Sequence, residues 1–439
     1  MNKSIFSLSS VTLFLIVLSA CNTGEEETNG ASNGNESNEN ASNGDEVTLT
    51  FYSTMVEESS VEAFESIFED FENENPGISI DGNFPSAAYE DTLRVRMASN
   101  DLPDLFDTHG WAKNRYGDYV ADLSDMEWVE HFDESMEPLL KDENGKVYAF
   151  PVNQANDGIM YNATLLEELN IEVPETVDEW IAAMETIRDE ADGDVAPLWI
   201  PGQESHNIGQ VLDQLSTPLL VTDEENNYEE ELLDGSFDWS NYTPLPETLI
   251  EIQEKDLLNV DVLTANEAQR AQLMSQSLIG FTFAGGAFGP TVQELNPEVE
   301  VGTMPVPAFY ESDEPSWIGG ERNTVAAYKD SENLEEAKMF IEFLAQPENA
   351  KKMAEATTLP AGVTNVEADN YYSEYYEEWS HITIQPYFDR VYLPGGMWDV
   401  YGSTGADLLA GSLTPEEVSE VMEGEYERLR RESEEEDAE

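Results

Sequence analysis

Short strands that alternate with amphipathic helices constrain the fold of this chain more than any other feature. Val47–Tyr52 alternates apolar and polar residues as a strand does. Ser60 is placed to cap a helix with one apolar face, and Pro76-Gly77 ends that helix. Ile78–Ile80 predicts the next strand. This order is typical of an α/β fold with a largely parallel sheet, and 439 residues suffice for two or three domains or one bilobed domain.

Later helices are marked by their caps and by an apolar face. Thr176 and Glu179 have the spacing of a capping box, and so do Thr414 and Glu417. The apolar residues within 334–344 recur at helical spacing. We therefore expect helices to begin at both boxes and a further helix to span 334–344.

The charge balance restricts the partners of the protein. The chain has 93 acidic and 19 basic residues, a formal charge of −74, so clusters of Lys and Arg for nucleic acid or anionic lipid are not expected. Apolar residues still make up 40%, which predicts a folded chain rather than a disordered acidic one. So acidic a surface either serves solubility alone or is adapted to high salt, which screens self-repulsion. We favour the second explanation, a halophile from a highly saline habitat.

The amino terminus predicts export and attachment to a membrane. Residues 1–20 combine a short positive start with an apolar stretch too short to span a bilayer. Cys21, the one cysteine in the chain, follows Leu-Ser-Ala, and this run resembles a bacterial lipobox, in which the cysteine is diacylated. The alternative is a buried free cysteine. We expect residues 1–20 to be a lipoprotein signal peptide, 21–46 a lipid-anchored flexible linker, and 432–439 a solvated acidic tail.

Eight segments between residues 47 and 431 carry a family resemblance through their order. They are FENENPGISI (71–80), LRVRMASNDLPDLF (93–106), the stretch from GKVYAFP to TVDEW (145–180), IGFTFAGGAFGP (279–290), VGTMPVPAF (301–309), SENLEEAKMFIEFL (331–344), LPAG (359–362) and LTPEEVSEVMEGEYERL (413–429). Together they resemble the extracellular solute-binding proteins of ABC importers, in the sugar-binding family that includes maltose-binding proteins.

The resemblance implies the periplasmic-binding-protein fold, an α/β architecture of two lobes that close on a ligand by a hinge motion. Three crossing segments would join the lobes, near 151–158, 304–309 and 344–347. The N-terminal lobe would combine 47–154 with 308–345, and the C-terminal lobe 155–307 with 346–431.

The expected ligand contacts follow from sugar chemistry and from the same resemblance. Sugar hydroxyls need donors and acceptors, and the apolar faces of a sugar stack on aromatic rings. Loops at the carboxyl ends of strands are where α/β folds bind ligands. The candidate ligand-binding residues are Tyr52, Glu57, His109, Trp111, Asn156, Asp157, Gly286, Phe288, Trp317, Gly320, Arg322, Trp398 and Tyr401.

Several candidates have a structural alternative. Trp111 and Trp398 could pack in the interior, and Asn156 and Asp157 could stabilise the hinge. Arg322 could form a structural ion pair, since carboxylates are abundant.

Two further features bear on the site. Phe288 stands where the resemblance implies a Trp platform, so it can stack on a sugar but donates no hydrogen bond. The histidines, His109 among them, have no HExxH spacing, so we expect neither a metal site nor a cofactor. The aromatic cluster at 371–379 has helical spacing and is expected to pack on the second lobe.

The leading hypothesis is a monomeric lipoprotein on the extracellular face of the cell membrane. It captures a sugar, with an oligosaccharide expected, and delivers it to an ABC transporter permease without making or breaking a bond. One alternative is a binding protein for a polyamine or another charged solute. The other is a secreted glycoside hydrolase, which needs two carboxylates about 5–9.5 Å apart.

Overall fold

The computed structural model describes residues 46–85, 89–108, 110–131 and 136–436. The signal peptide, Cys21 and His109 lie outside the described residues. Within them the strands are, in chain order, β1 (Val47–Tyr52), β2 (Ile78–Asn83), β3 (Leu105–Phe106), β4 (Phe150–Pro151), β5 (Gln154–Asp157), β6 (Ile159–Asn162), β7 (Ala196–Leu198), β8 (Ile279–Thr282), β9 (Val301–Met304), β10 (Trp317–Glu321), β11 (Thr324–Ala327) and β12 (Ile384–Pro386).

The α-helices confirm the predicted starts at the two capping boxes and the predicted span of 334–344, but the predicted cap at Ser60 is wrong, because the helix begins at Glu58 and Ser60 is buried inside it. They are α1 (Glu58–Glu74), α2 (Tyr89–Ser99), α3 (Glu137–Leu140), α4 (Ala163–Leu169), α5 (Val177–Glu190), α6 (His206–Leu220), α7 (Glu229–Asp234), α8 (Pro244–Glu254), α9 (Arg270–Met274), α10 (Phe288–Leu295), α11 (Leu334–Leu344), α12 (Pro347–Thr357), α13 (Ser373–Glu378), α14 (Phe388–Val391), α15 (Met397–Leu409) and α16 (Pro415–Glu436). Short 3-10 turns cover Glu127–His131, Trp239–Asn241 and Glu267–Gln269. No described helix is both long enough and apolar enough to cross a bilayer.

The first lobe is built on a five-stranded sheet of order β2-β1-β3-β11-β4. β1 pairs in parallel with β2 and β3, whereas β11 is antiparallel to β3 and β4, so the sheet is mixed rather than largely parallel. Helix α1 covers it because its apolar residues share one face. Phe64 and Phe68 are buried there against Phe51 and Phe340, with ring centroids 4.9–6.1 Å from one another. Burying each such ring contributes about 1.5–3 kcal/mol.

The second lobe is built on a four-stranded sheet of order β7-β8-β6-β9. Helix α5 begins at the predicted capping box of Thr176 and Glu179, and its buried Trp180 packs edge-on against Phe281 of β8. Helix α15 packs on both α6 and α16, and all three helices contribute to the core that includes Phe281. The predicted cluster at 371–379 packs here as expected, because the backbone N–H of Gly289 donates to the Tyr372 hydroxyl at 2.7 Å.

A three-stranded sheet of order β12-β10-β5 joins the two lobes. β5 follows β4 of the first lobe and leads into β6 of the second, while β10 leads back into β11 of the first. β10 is antiparallel to β5 and parallel to β12. The crossing segments thus support one another as strands of one small sheet.

Two passages between the lobes come later in the chain than the sequence indicates. Ala308 still bonds to Glu175 at the start of α5, with its N–H 2.9 Å from the carbonyl, so the return to the first lobe runs through β10 rather than 304–309. Helix α12 packs on α1 and buries Met353 in the core of the first lobe, although 346–431 was expected in the second. The chain has reached the second lobe by Tyr371, whose hydroxyl accepts from Val301 N–H at 3.0 Å.

The acidic carboxyl terminus also differs from the prediction. Helix α16 continues to Glu436, into the predicted tail of 432–439. Arg428 and Arg430 each pair with a glutamate four residues later, at 2.8 Å and 3.1 Å. Such pairs add a few tenths of a kcal/mol to an exposed helix and help it to extend.

Candidate ligand cleft

A cavity of about 660 Å³ lies between the lobes on one side of the crossing sheet. The first-lobe wall comprises Thr54, Met55, Glu57, Ser59, Ser60, Glu90, Ala356, Thr357 and Leu359. The second-lobe wall comprises Glu267, Arg270, Ala271, residues 284–288 and Thr291. Between the walls lie Arg322 and Asn323, which follow a crossing strand. The loop after β1 and the loop after β8 thus face each other, as expected for loops at strand ends.

The two walls approach each other closely at Gly286. A Cβ there would lie 2.8 Å from the Thr358 hydroxyl and 3.1 Å from the Thr357 carbonyl, both at the end of first-lobe helix α12. Any larger side chain at 286 would hold the lobes apart at this rim. The glycine therefore permits the close approach of the lobes.

The second-lobe wall carries a buried cation. Arg270 is 4% exposed, pairs with Glu267 at 2.8 Å and donates to the Phe283 carbonyl. Its guanidinium lies 5.9 Å from the ring centroid of Phe288, which is itself only 9% exposed. Burial lowers the pKa of Arg270, while the Glu267 carboxylate opposes that effect. The arrangement fixes Phe288 at the edge of the cavity.

One carboxylate ties the crossing segments together beside the cavity. Asp157 on β5 accepts from Arg322 Nη1 at 2.9 Å and from the Tyr387 hydroxyl at 2.9 Å, and these partners follow β10 and β12. The Asp157 carboxylate raises the pKa of Arg322. Burial raises the pKa of Tyr387. Because Arg322 also lines the cavity, this network links the cavity to the hinge.

A second carboxylate, Asp107, orders the first-lobe side. Its oxygens accept from Thr324 N–H at 3.0 Å, from Asn323 Nδ2 at 3.0 Å and from the Thr54 hydroxyl. Asn323 and Thr54 both line the cavity. Asp107 therefore positions two polar side chains that line the cavity.

Comparisons with known proteins agree with this architecture. Residues 57–351 match the family model described as bacterial extracellular solute-binding protein. The chain belongs to this family. It is 46% identical over 429 residues, 98% of this chain and 97% of its relative, to MelE of Bacillus subtilis (strain 168), a melibiose/raffinose/stachyose-binding protein.

Solved structures of the family share the two-lobed fold. A sugar transporter protein from Bacillus licheniformis, in complex with stachyose, is 57% identical with a TM-score of 0.78 over 87% of this chain and 100% of that one. A Bacillus subtilis binding protein in an open conformation is 48% identical with a TM-score of 0.83 over 88% and 98%. The family and the two-lobed α/β fold predicted from the sequence are thereby confirmed.

The structure brings only some of the predicted ligand residues to the cavity. Glu57, Gly286, Phe288 and Arg322 line it, and Asp157 contacts it through Arg322. These five residues are therefore the sequence candidates that the structure brings together.

The other described candidates lie outside the cavity lining. Trp317 is 2% exposed and packs with Tyr376, 5.6 Å away between ring centroids. Tyr401 is fully buried and shares a 3.0 Å hydrogen bond with Ser216 on α6. Gly320 is also buried, within β10, with a φ of +132°. All five residues of β10 are buried, on both faces of the strand, and Tyr401 lies on the buried face of α15.

The remaining candidates are half-buried. The rings of Tyr52 and Trp111 are covered by the guanidinium groups of Arg96 and Arg115, at 5.0 Å and 4.6 Å. Asn156 lies on β5, and its Oδ1 has no hydrogen-bond partner within the described segments. Trp398 lies in the first turn of α15.

Sequence reasoning missed several residues of the cleft. Arg270 and Glu267 lie three residues apart, and arginine is scarce in this acidic chain. This spacing could have identified the two residues as an ion pair from the sequence.

Proposed function

We propose that the protein captures a neutral oligosaccharide bearing an α-galactosyl group in the cleft between its lobes and delivers it to an ABC transporter permease. The cavity between the lobes carries the proposal. Its 660 Å³ falls within the range of small-molecule sites, and both lobes contribute walls, so closure encloses the ligand.

The lining matches the chemistry of such a ligand. Carboxylates of Glu57, Glu90 and Glu267 accept from sugar hydroxyls, while Arg322 and Asn323 donate to them. MelE is described as binding melibiose, raffinose and stachyose, sugars of increasing length that share an α-galactosyl group. At 46% identity over nearly the whole chain, similar ligands are the best-supported choice for this protein.

Titration of intrinsic tryptophan fluorescence at molar salt tests the proposal. Melibiose, raffinose and stachyose are the probes, with spermidine as the charged comparator. Saturable binding of at least one sugar is expected, since lobe closure alters tryptophan surroundings. A response to spermidine alone would instead favour the charged-solute alternative.

A matched pair of variants tests the cavity. Glu57→Gln should weaken sugar binding about tenfold, since hydrogen bonds to a charged acceptor are worth about 1.5–3 kcal/mol. Glu58→Gln changes an exposed neighbour outside the lining and should leave affinity unchanged. Equal affinities for both variants and the wild type would place the ligand away from Glu57.

The family consists of binding proteins, and we propose that this member likewise breaks no bond in its ligand. Sugar recovered after long incubation with the protein should be unaltered by chromatography. Release of galactose would overturn this point and favour the hydrolase.

Attachment and habitat form the last part of the proposal. Acylation of Cys21 would hold the protein at the extracellular face of the membrane as a monomer, with the acidic surface adapted to salt. Mass spectrometry of the amino-terminal peptide should show a diacylated cysteine, and Cys21→Ser should release the protein into the medium. Sedimentation should give the mass of one chain, which is 49.1 kDa before the signal peptide is removed. The unfolding temperature should rise as salt is added, because salt screens the repulsion between surface carboxylates.

A further inference from the structure

One buried guanidinium holds both ends of the loop that forms much of the second-lobe wall. Arg270, the first residue of α9, donates from Nη1 to the carbonyl of Phe283, where the loop begins after β8. Its Cζ lies 5.9 Å from the ring centroid of Phe288, where the loop ends and α10 begins. Residues 284–287, between these two anchors, all line the cavity. Arg270 therefore contacts the loop at its start and at its end.

The loop itself has little else to hold it in place. Residues 284–287 are alanine or glycine, so none has a side chain larger than a methyl group with which to pack. Phe283 and Phe288 are 4% and 9% exposed, whereas Gly285 between them is exposed. A turn bond joins the Phe288 N–H to the Gly285 carbonyl at 3.0 Å. The shape of this wall thus depends on the turn and on the two ends that Arg270 contacts.

The same guanidinium also holds a carboxylate of the cavity. Nη2 of Arg270 donates to Oε1 of Glu267 at 2.8 Å. The Glu267 side chain lines the cavity and is 64% exposed, while that of Arg270 is 5% exposed. So exposed an ion pair adds little to stability. Its main consequence is the direction of the Glu267 carboxylate, which a buried partner sets.

An aromatic ring and a carboxylate are the two kinds of group that bind a sugar unit. The apolar face of the sugar packs on the ring, and its hydroxyls donate to the carboxylate. Affinity depends on how well these groups are pre-organised, because ordering them on binding costs free energy. Arginine suits this task, since its planar guanidinium presents several donors in a fixed fork, whereas lysine has one compact ammonium group.

We propose that Arg270 is a positioning residue for sugar binding. It holds the 283–288 loop, the Phe288 ring and the Glu267 carboxylate in the arrangement that the ligand meets, and it acts through these groups rather than through a contact of its own. The inference rests on the proposed function, because it concerns the same cleft and the same ligand.

Replacement of Arg270 tests the proposal. Arg270→Met keeps an unbranched side chain but removes the bonds to the Phe283 carbonyl and to Glu267. Affinity for whichever of melibiose, raffinose and stachyose the wild type binds most tightly, measured by calorimetry at molar salt, should fall about tenfold. Arg270→Lys keeps the charge beside Glu267 but not the fork, so its affinity should lie between those of Arg270→Met and the wild type.

Arg188 provides a matched control in the same lobe. It too bonds a carboxylate and a carbonyl, those of Asp189 and Lys255, both at 2.8 Å, and it lies outside the cavity lining. Arg188→Met should therefore bind sugar as the wild type does. An equal loss of affinity in Arg188→Met and Arg270→Met would show a general structural effect and overturn the proposal. If Arg270→Met fails to fold, Arg270→Lys and Arg188→Lys make the same comparison.

A double-mutant cycle with Phe288→Leu separates positioning from an independent role. If Arg270 acts through the ring, Arg270→Met should weaken binding less in the Phe288→Leu protein than in the wild type. Fold-losses that simply multiply would overturn action through the ring.

The possible failures are distinct. Wild-type affinity in both Arg270→Met and Arg270→Lys would overturn the positioning role and leave the proposed function standing. A wild-type protein that binds none of the three sugars would overturn the proposed function itself.

Discussion

Asp157 and Glu321 lie on neighbouring crossing strands, and their surroundings are opposite. Asp157 accepts two hydrogen bonds at 2.9 Å, from Arg322 and Tyr387. Glu321 is fully buried, and its carboxylate has no hydrogen-bond partner in the described residues. The partnered carboxylate holds the crossing strands together, whereas the unpartnered one opposes folding when ionised. Asp157 stabilises the hinge, whereas stability does not explain why a carboxylate is buried at Glu321.

The largest expected effect concerns the pH dependence of Glu321. Burial raises its pKa from 4.5 to about 7, while Arg390 lowers it and Asp107 raises it. Between about pH 4.5 and pH 7 this carboxyl group is ionised in the unfolded chain but still protonated in the folded chain. The free energy of unfolding therefore falls as the pH rises through this range. The contribution is about 3 kcal/mol, fully lost above pH 7.

Urea unfolding of the wild type and Glu321→Gln at several pH values checks this contribution. The variant should gain stability relative to the wild type as pH rises from about 4.5 to 7, and the difference should then stay constant. Parallel pH profiles of the two proteins would show that Glu321 titrates normally, and the contrast with Asp157 would disappear.

Breaking the partnered carboxylate should cost less. Asp157→Asn leaves Arg322 without its counter-charge, but the Arg322 side chain is 35% exposed and partly solvated, so a loss of about 2 kcal/mol is expected. Asp125→Asn is the control, because it removes a 79% exposed carboxylate paired with Lys338 and should change stability by under about 0.5 kcal/mol. Thermal unfolding measures both, and equal effects would show that the Asp157 network does not stabilise the hinge.

The features that the sequence could predict are those that depend on local patterns in the chain. Helices α1 and α11 follow from apolar periodicity, and α5 follows from its capping box; both signals act within a few turns of chain. The two lobes followed from the order of family segments. Phe288 was found because it lies within such a segment, and Arg322 follows the end of a strand that frames the cleft.

Other features depend on distant packing and leave no local pattern. Helix α12 belongs to the first lobe because Met353 packs into the core around α1, although its position in the chain suggested the second. Tyr401 is three residues after Trp398, and the neighbouring α6 determines which of them is buried. Glu321 looks like any other acidic residue among 93 until β10 is placed between the lobes.

The smallest expected effect repeats the contrast in a pair of tyrosines. Tyr401 and Tyr242 are both fully buried, with ring centroids 6.2 Å apart. The Tyr401 hydroxyl bonds to Ser216 at 3.0 Å, while the Tyr242 hydroxyl has no partner in the described part of the chain. Tyr401→Phe should lower the free energy of unfolding by about 1 kcal/mol, and Tyr242→Phe should leave it unchanged or raise it by about as much. Raffinose affinity should be unchanged in both, because neither residue lines the cavity. Equal destabilisation by the two changes would contradict the assignment of Tyr242 as unpartnered, and weakened sugar binding in Tyr401→Phe would restore Tyr401 as a ligand residue.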